Sequence, residues 1–133
     1  MNRYQQREQA FYLIFEASFF NYDIEEVLSH ADEFENEPIC DFAKSMSRAV
    51  IENLKAVDDK IVLYAKGWKL NRISKVSLAI LRLAVYEAFF SKTTPEGVAI
   101  NEAIDLAKKF DTDDAPSFIN GVLGSISREK KED

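Results

Sequence analysis

From Lys75 to Phe90 the sequence is apolar nearly all round a helix: Val76, Leu78, Ala79, Ile80, Leu81, Leu83, Ala84, Val85, Ala88 and Phe89 leave no continuous polar face. Such a helix is central and must be covered by neighbours on several sides. Ser74 supplies a side-chain acceptor for its first free N–H groups. Arg82 and Glu87 interrupt the run, and because an unpaired buried charge is costly, each must find a partner or reach the surface. Arg82 reads as a structural arginine bonded to carbonyls or to a carboxylate. The run is too short and too interrupted to span a bilayer.

The segments that surround this helix are helical too, and none shows sustained strand alternation. Arg3 to about Phe20 places Ala10, Leu13, Ile14 and Ala17 on one stripe and adds Phe11, Tyr12, Phe15, Phe19 and Phe20. Aromatics in that number fit a helix packed on two sides, with an exposed stacking platform for bases as the alternative. Asp23 caps a short helix through Ala31. The acidic stretch Asp32 to Glu37 reads as a solvated loop. Pro38 opens a third segment, whose stripe runs through Phe42, Met46, Ala49, Val50, Asn53, Leu54 and Val57 and continues to Ile61, Tyr64 and Ala65. A bend is expected near Asp58-Asp59, and Gly67 ends the segment, as glycine beyond a last turn commonly does.

Thr94 to Ile126 reads as a helical hairpin. Thr94-Pro95 is a helix start, a hydroxyl cap followed by a proline that tolerates the first turn. Ile100, Ala103, Ile104, Ala107 and Phe110 form one apolar stripe; Phe118, Ile119, Val122, Leu123 and Ile126 form the next. Asp111 to Asp114 stops the first helix and caps the second. Gly121 and Gly124 each cost about 1 kcal/mol of helix propensity against alanine, so both are expected at close backbone approaches where a larger side chain overpacks.

A chain of 133 residues makes one domain with one real core. Four glycines and three prolines leave little material for a turn-rich β fold. With one cysteine, Cys40, and one histidine, His30, neither an internal disulfide nor a Cys/His zinc site can be assembled, and no metal or cofactor is expected. Cys40 reads as a structural or incidental thiol. No phosphate loop, nucleophile elbow or His-containing triad is present, so a binding module is favoured over an enzyme and no catalytic residue is assigned. The opening MNRYQQRE has no apolar signal core, which makes a cytoplasmic protein the default.

A formal charge of −6 argues against a generic nucleic-acid binder. The distribution says more than the sum. Asn21 to Asp59 carries eleven acids against three bases, whereas Lys60 to Arg82 carries six bases (Lys60, Lys66, Lys69, Arg72, Lys75 and Arg82) and no acid. An acid-free basic segment in an acidic protein can hold RNA locally and salt-sensitively.

Three blocks, in order, carry a family resemblance: ILRLAVYE (Ile80 to Glu87), VAINEAIDLAKKF (Val98 to Phe110) and FINGVLG (Phe118 to Gly124). With the arginine-bearing N-terminal helix, they resemble the NusB family of transcription antitermination factors. The resemblance is strong over Trp68 to Ile126 and thin between Asn21 and Ala65. It implies an all-α fold of six or seven helices, built as two small helical subdomains around the central apolar helix. Here the helical halves would be about 1–70 and 71–133 of a single 1–133 domain.

For function, the resemblance implies an N-terminal arginine-rich helix that contacts boxA, a short single-stranded RNA element of ribosomal RNA leaders. The ribosomal small-subunit protein NusE binds alongside, and the complex joins the RNA polymerase antitermination machinery. Arg3 and Arg7 match arginine positions of that motif. Four residues apart on a helix, they point the same way; the bland alternative is two solvated arginines on a fraying end. Family members often carry three or four arginines in a row here, whereas Tyr4, Gln5 and Gln6 fill the gap in this chain.

Phe118 matches a position that the family places near RNA, and the alternative is the first core residue of its stripe. Tyr64, Lys66 and Lys69 are candidates for phosphate contact from local charge. Ser77, Glu87 and Glu102 are candidates for the NusE-facing surface. The leading expectation is an RNA-binding antitermination factor. A protein-interaction module of the same fold with little RNA binding is the runner-up. A substrate-positioning domain of an RNA methyltransferase ranks last, because it would need a cofactor-binding domain beyond Asp133.

Overall fold

A computed structural model describes residues 1–31 and 33–132, with side chains through Glu129. Seven α-helices are present among the described residues: α1 (Arg3–Ala17), α2 (Ile24–His30), α3 (Asp41–Glu52), α4 (Leu54–Tyr64), α5 (Lys75–Val85), α6 (Glu96–Phe110) and α7 (Ala115–Glu132). The fold is all-α, as the periodicity predicts. α5 is its axis, packed against α1, α3, α4, α6 and α7. Leu78, Ala79, Ile80, Leu81, Leu83, Ala84 and Val85 are all buried, which is why this helix has no polar face. One apolar cluster runs through the molecule from Ala10 to Ile126. No described helix is long and apolar enough to cross a membrane.

Several local expectations hold. The Ser74 hydroxyl accepts from the Ser77 amide and starts α5, the Asp23 carboxylate accepts from the Glu26 amide and starts α2, and Gly67 takes a φ of 78° in the turn after α4. Phe11 is buried and stacks on Phe110 with ring centroids 5.1 Å apart.

Others are corrected. The long third helix breaks at Asn53, not at Asp58-Asp59. The Asn53 side-chain amide turns back to the Ala49 carbonyl at 2.8 Å, which competes with helix continuation. Asp58 instead lies inside α4, where both its oxygens accept from the Arg82 guanidinium at 2.8 and 2.9 Å. Arg82 is thus the structural arginine expected of it. Part of the acidic loop is a small hairpin: β1 (Glu33–Phe34) pairs antiparallel with β2 (Glu37–Pro38). Glu35 and Asn36 both take positive φ at its tip, the geometry of a tight two-residue turn. Asp32 lies outside the described residues. Pro38 belongs to β2, and Cys40 is the residue that caps α3, its Sγ accepting from the Ala43 amide.

Two further corrections concern the hairpin α6–α7. Thr94 caps nothing: Pro95 occupies the position before α6 and offers no side-chain acceptor. The glycines of α7 mark no close backbone approach. A Cβ on Gly121 would meet nothing within 4 Å, and one on Gly124 would meet only the end of the Arg128 side chain at 3.2 Å.

The central helix also ends differently from its spacing. After Val85 the chain makes a π-helical turn over Tyr86–Phe90. Such wide turns change the azimuth of the side chains they carry. This one carries Glu87.

Candidate nucleic-acid interface

Two places in the fold gather the residues that the sequence singles out. The first lies where the end of α4 and the following connector face α7. The Trp68 ring meets the Phe118 ring edge-to-face, with centroids 5.7 Å apart and planes at 63°, a favoured aromatic geometry. Phe118 is half-buried, whereas Trp68 is 51% exposed. On one side of this pair lies a cleft of about 300 Å³, lined by Tyr64, Lys66, Trp68, Phe118, Ser125 and Arg128 among others. A contiguous cleft of about 390 Å³ shares Tyr64, Lys66, Ser125 and Arg128. On the other side of the aromatic pair a third cleft, also about 300 Å³, is lined by Trp68, Arg72, Ser77, Asp114 and Phe118.

The fold thus brings Tyr64, Lys66 and Phe118 together. Lys69 is exposed one residue beyond Trp68 and lines none of these clefts. Sequence reasoning missed Trp68, Arg72 and Arg128 as members of this place. Arg72 sits inside the acid-free segment already noted. Phe118, Gly121, Ser125 and Arg128 fall at i, i+3, i+7 and i+10, one face of α7. Gly121 leaves this face open, since a Cβ there would meet nothing within 4 Å.

The second place is the start of α1. Asn2 and Gln5 form a reciprocal cap: the Asn2 side chain accepts from the Gln5 amide at 2.9 Å, and the Gln5 side chain from the Asn2 amide at 2.8 Å. Arg3 is exposed, with its guanidinium 4.0 Å from the centre of the Phe42 ring. Arg7, one turn on, points inward and is only 6% exposed. Its Nε donates to both carboxylate oxygens of Glu87, at 3.0 and 2.9 Å, and its Nη2 donates at 2.6 Å. The Thr94 hydroxyl donates to the same carboxylate. Nη1 of Arg7 lies 3.9 Å from Glu102. The expectation that Arg3 and Arg7 share an outward face is therefore not met. A bidentate arginine–carboxylate pair holds the second of them inside.

Of the three partner-surface candidates, Glu87 is 2% exposed and Ser77 is buried with its hydroxyl donating to Asp111 at 2.5 Å. Glu102 reaches the surface at one edge, but its Oε2 is buried and has no hydrogen-bond partner among the described residues. Burial lifts the Glu102 carboxyl above the usual carboxylate range; Asp105 and Glu87 push the same way, and Arg7 opposes them. The Tyr4 phenol is pushed up to about 12 by burial and by Glu8. Glu8 is itself held by Lys109 at 2.8 Å.

No group of three or more His, Cys, Asp or Glu among the described residues could hold a metal ion. Exposed aromatics beside cations define the class: a helical protein with an open surface groove rather than an enclosed pocket.

Comparison with known proteins narrows that class. The NusB family model matches residues 4–128, and the chain belongs to the NusB family. A transcription antitermination protein NusB of Bacillus pumilus (strain SAFR-032) is 41% identical over 133 residues, covering 99% of both chains. Its counterpart in Clostridium acetobutylicum is 39% identical over 134 residues, again with 99% of each chain covered. Among solved structures, T. maritima NusB superposes with a TM-score of 0.80 at 36% identity, over 97% of this chain and 92% of that one. A chain from the crystal structure of antitermination factors NusB and NusE in complex with dsRNA superposes with a TM-score of 0.78 at 25% identity, over 97% and 99%.

Proposed function

We propose that this protein is an RNA-binding transcription antitermination factor. It binds the single-stranded boxA element of ribosomal RNA leaders together with NusE and joins the RNA polymerase complex that transcribes ribosomal RNA operons, in the cytoplasm. The observation that carries this reading is the open groove at Trp68 and Phe118, flanked by Tyr64, Lys66 and Arg128. Aromatic faces take up splayed bases, each worth about 1–3 kcal/mol, and cations beside them meet the phosphates. Arg3 at the start of α1 and Lys69 in the connector are further exposed cations. Similarity to a NusB chain solved with NusE and dsRNA supports RNA and NusE as partners. Of the three residues considered for the NusE surface, Glu102 keeps a solvent edge, while Ser77 and Glu87 are buried.

One observation favours a second reading. With Arg7 held by Glu87, Arg3 is the one outward arginine of α1. A NusB-fold module that binds NusE with little RNA affinity of its own fits that economy of charge.

Binding of a fluorescent boxA-type RNA, with and without NusE and at two salt concentrations, separates the two. The antitermination reading expects salt-sensitive binding that tightens with NusE and is lost with a scrambled RNA. Binding of NusE with no RNA uptake at either salt assigns the protein to the interaction-module reading. A duplex RNA in the same assay tells whether single-strandedness matters.

A further inference from the structure

Arg7 is the residue whose placement departs most from its expected role. For its guanidinium to meet a phosphate, the bidentate pair with Glu87 would have to open. That would leave a carboxylate that is 2% exposed without its cation, and a buried charge stripped of its partner is strongly disfavoured. The pair joins two elements far apart in sequence, the first turns of α1 and the π-helical turn over Tyr86–Phe90. Thr94, just before α6, adds its hydroxyl to the same carboxylate, and Ser91 donates its hydroxyl to the Glu87 carbonyl at 3.0 Å. Three segments therefore meet on one side chain. One turn earlier on α1, the Arg3 guanidinium rests over Phe42 of α3. The reciprocal Asn2–Gln5 cap stiffens the turn between.

We propose that Arg7, Glu87 and Thr94 form a positioning lock: they fix the rotation and depth of the first turn of α1 so that Arg3 is presented to RNA, while Arg7 itself touches no phosphate. The inference rests on the RNA-binding reading above. A geometry held through an inner layer of hydrogen bonds is what a precise outer contact needs. The lock also explains how a chain with two arginines at the start of α1 can present one of them reproducibly.

The test measures affinity for the boxA-type RNA over a salt series, for the full-length parent and for Arg3→Ala, Arg7→Gln, Glu87→Gln, Thr94→Val and Thr94→Ser. Circular dichroism checks each fold. Removing a phosphate contact lowers the log–log salt slope by about one, which is the expectation for Arg3→Ala. Glu87→Gln and Arg7→Gln should each weaken binding about three- to tenfold with the parent's slope, the signature of a misplaced contact rather than a lost one. Thr94→Val should do the same more mildly, and Thr94→Ser, which keeps the hydroxyl, should behave as the parent. If Glu87→Gln does not fold, the Thr94 pair decides.

A slope lowered by about one in Arg7→Gln, with Glu87→Gln binding as the parent does, makes Arg7 a phosphate ligand and overturns the lock. Folded Arg7→Gln and Glu87→Gln that both bind as the parent reduce the pair to a stability element, which overturns it as well. Amide exchange of residues 5–8, measured without RNA, reads the lock separately: Glu87→Gln should speed it about tenfold. A parent that binds no RNA removes the RNA reading, and unchanged exchange in Glu87→Gln then removes the lock too.

Discussion

The seam at the start of α1 and the groove between the α4–α5 connector and α7 invert the usual division of labour. In the seam, charge is inside: Arg7, Glu87 and Glu8 are buried. In the groove, aromatic surface is outside: Trp68 is half exposed and Phe118 partly so. The difference teaches that neither arginine nor tryptophan declares its place by type alone. Arg7 is tolerated inside because a carboxylate meets it with three short contacts. Trp68 is tolerated outside because one edge-to-face partner covers only part of its ring. The seam fixes geometry and the groove offers surface, so substitutions in the two should fail in different assays.

The largest expected effect is in the seam. Glu87→Ala leaves Arg7 buried without its carboxylate and should destabilise the fold by about 3–5 kcal/mol in chemical denaturation. A loss under about 1 kcal/mol would show that Arg7 swings out to solvent, and the contrast between the two regions would disappear. In the groove, Phe118→Ala should cost about 1–3 kcal/mol of RNA affinity while leaving most of the stability in place. An equal loss in both assays would make Phe118 a core residue, the alternative its sequence position also allowed.

A smaller effect sharpens the seam. Because the folded state holds the Glu102 carboxyl above its unfolded range, the folded state keeps the proton to higher pH, and stability falls as pH rises through that window. Glu102→Gln should therefore be more stable than the parent at neutral pH, with the gain shrinking as pH drops below the ordinary carboxylate range. A gain independent of pH would point to packing instead. The smallest effect belongs to the groove wall. Gly121→Ala should raise stability by up to about 1 kcal/mol through helix propensity, since the new methyl group meets nothing. A lower melting temperature would mean that the groove closes over this position.

Much of the architecture is legible in the sequence alone. The all-round apolar run named the central helix, Ser74 and Asp23 marked their helix starts, and Gly67 marked a turn, because each of these depends on residues within one or two turns of itself. The groove was partly legible: Tyr64, Lys66 and Phe118 were singled out, and the basic segment already held Arg72. Trp68 and Arg128 were not, because what gathers them with Tyr64 and Lys66 in one groove is the packing of α4 and its connector against α7.

What the sequence determined by itself is what local chemistry determines: helix periodicity, several of the caps, the charge imbalance and the family blocks. Tertiary structure decided where the polar side chains went. Thr94 carries the same hydroxyl whether it caps a helix or bonds to Glu87, and Arg7 the same guanidinium whether it faces solvent or a carboxylate eighty residues away. The choice between those partners is set by which segments meet, and long-range meetings depend on how whole helices pack rather than on any residue's neighbours in the chain.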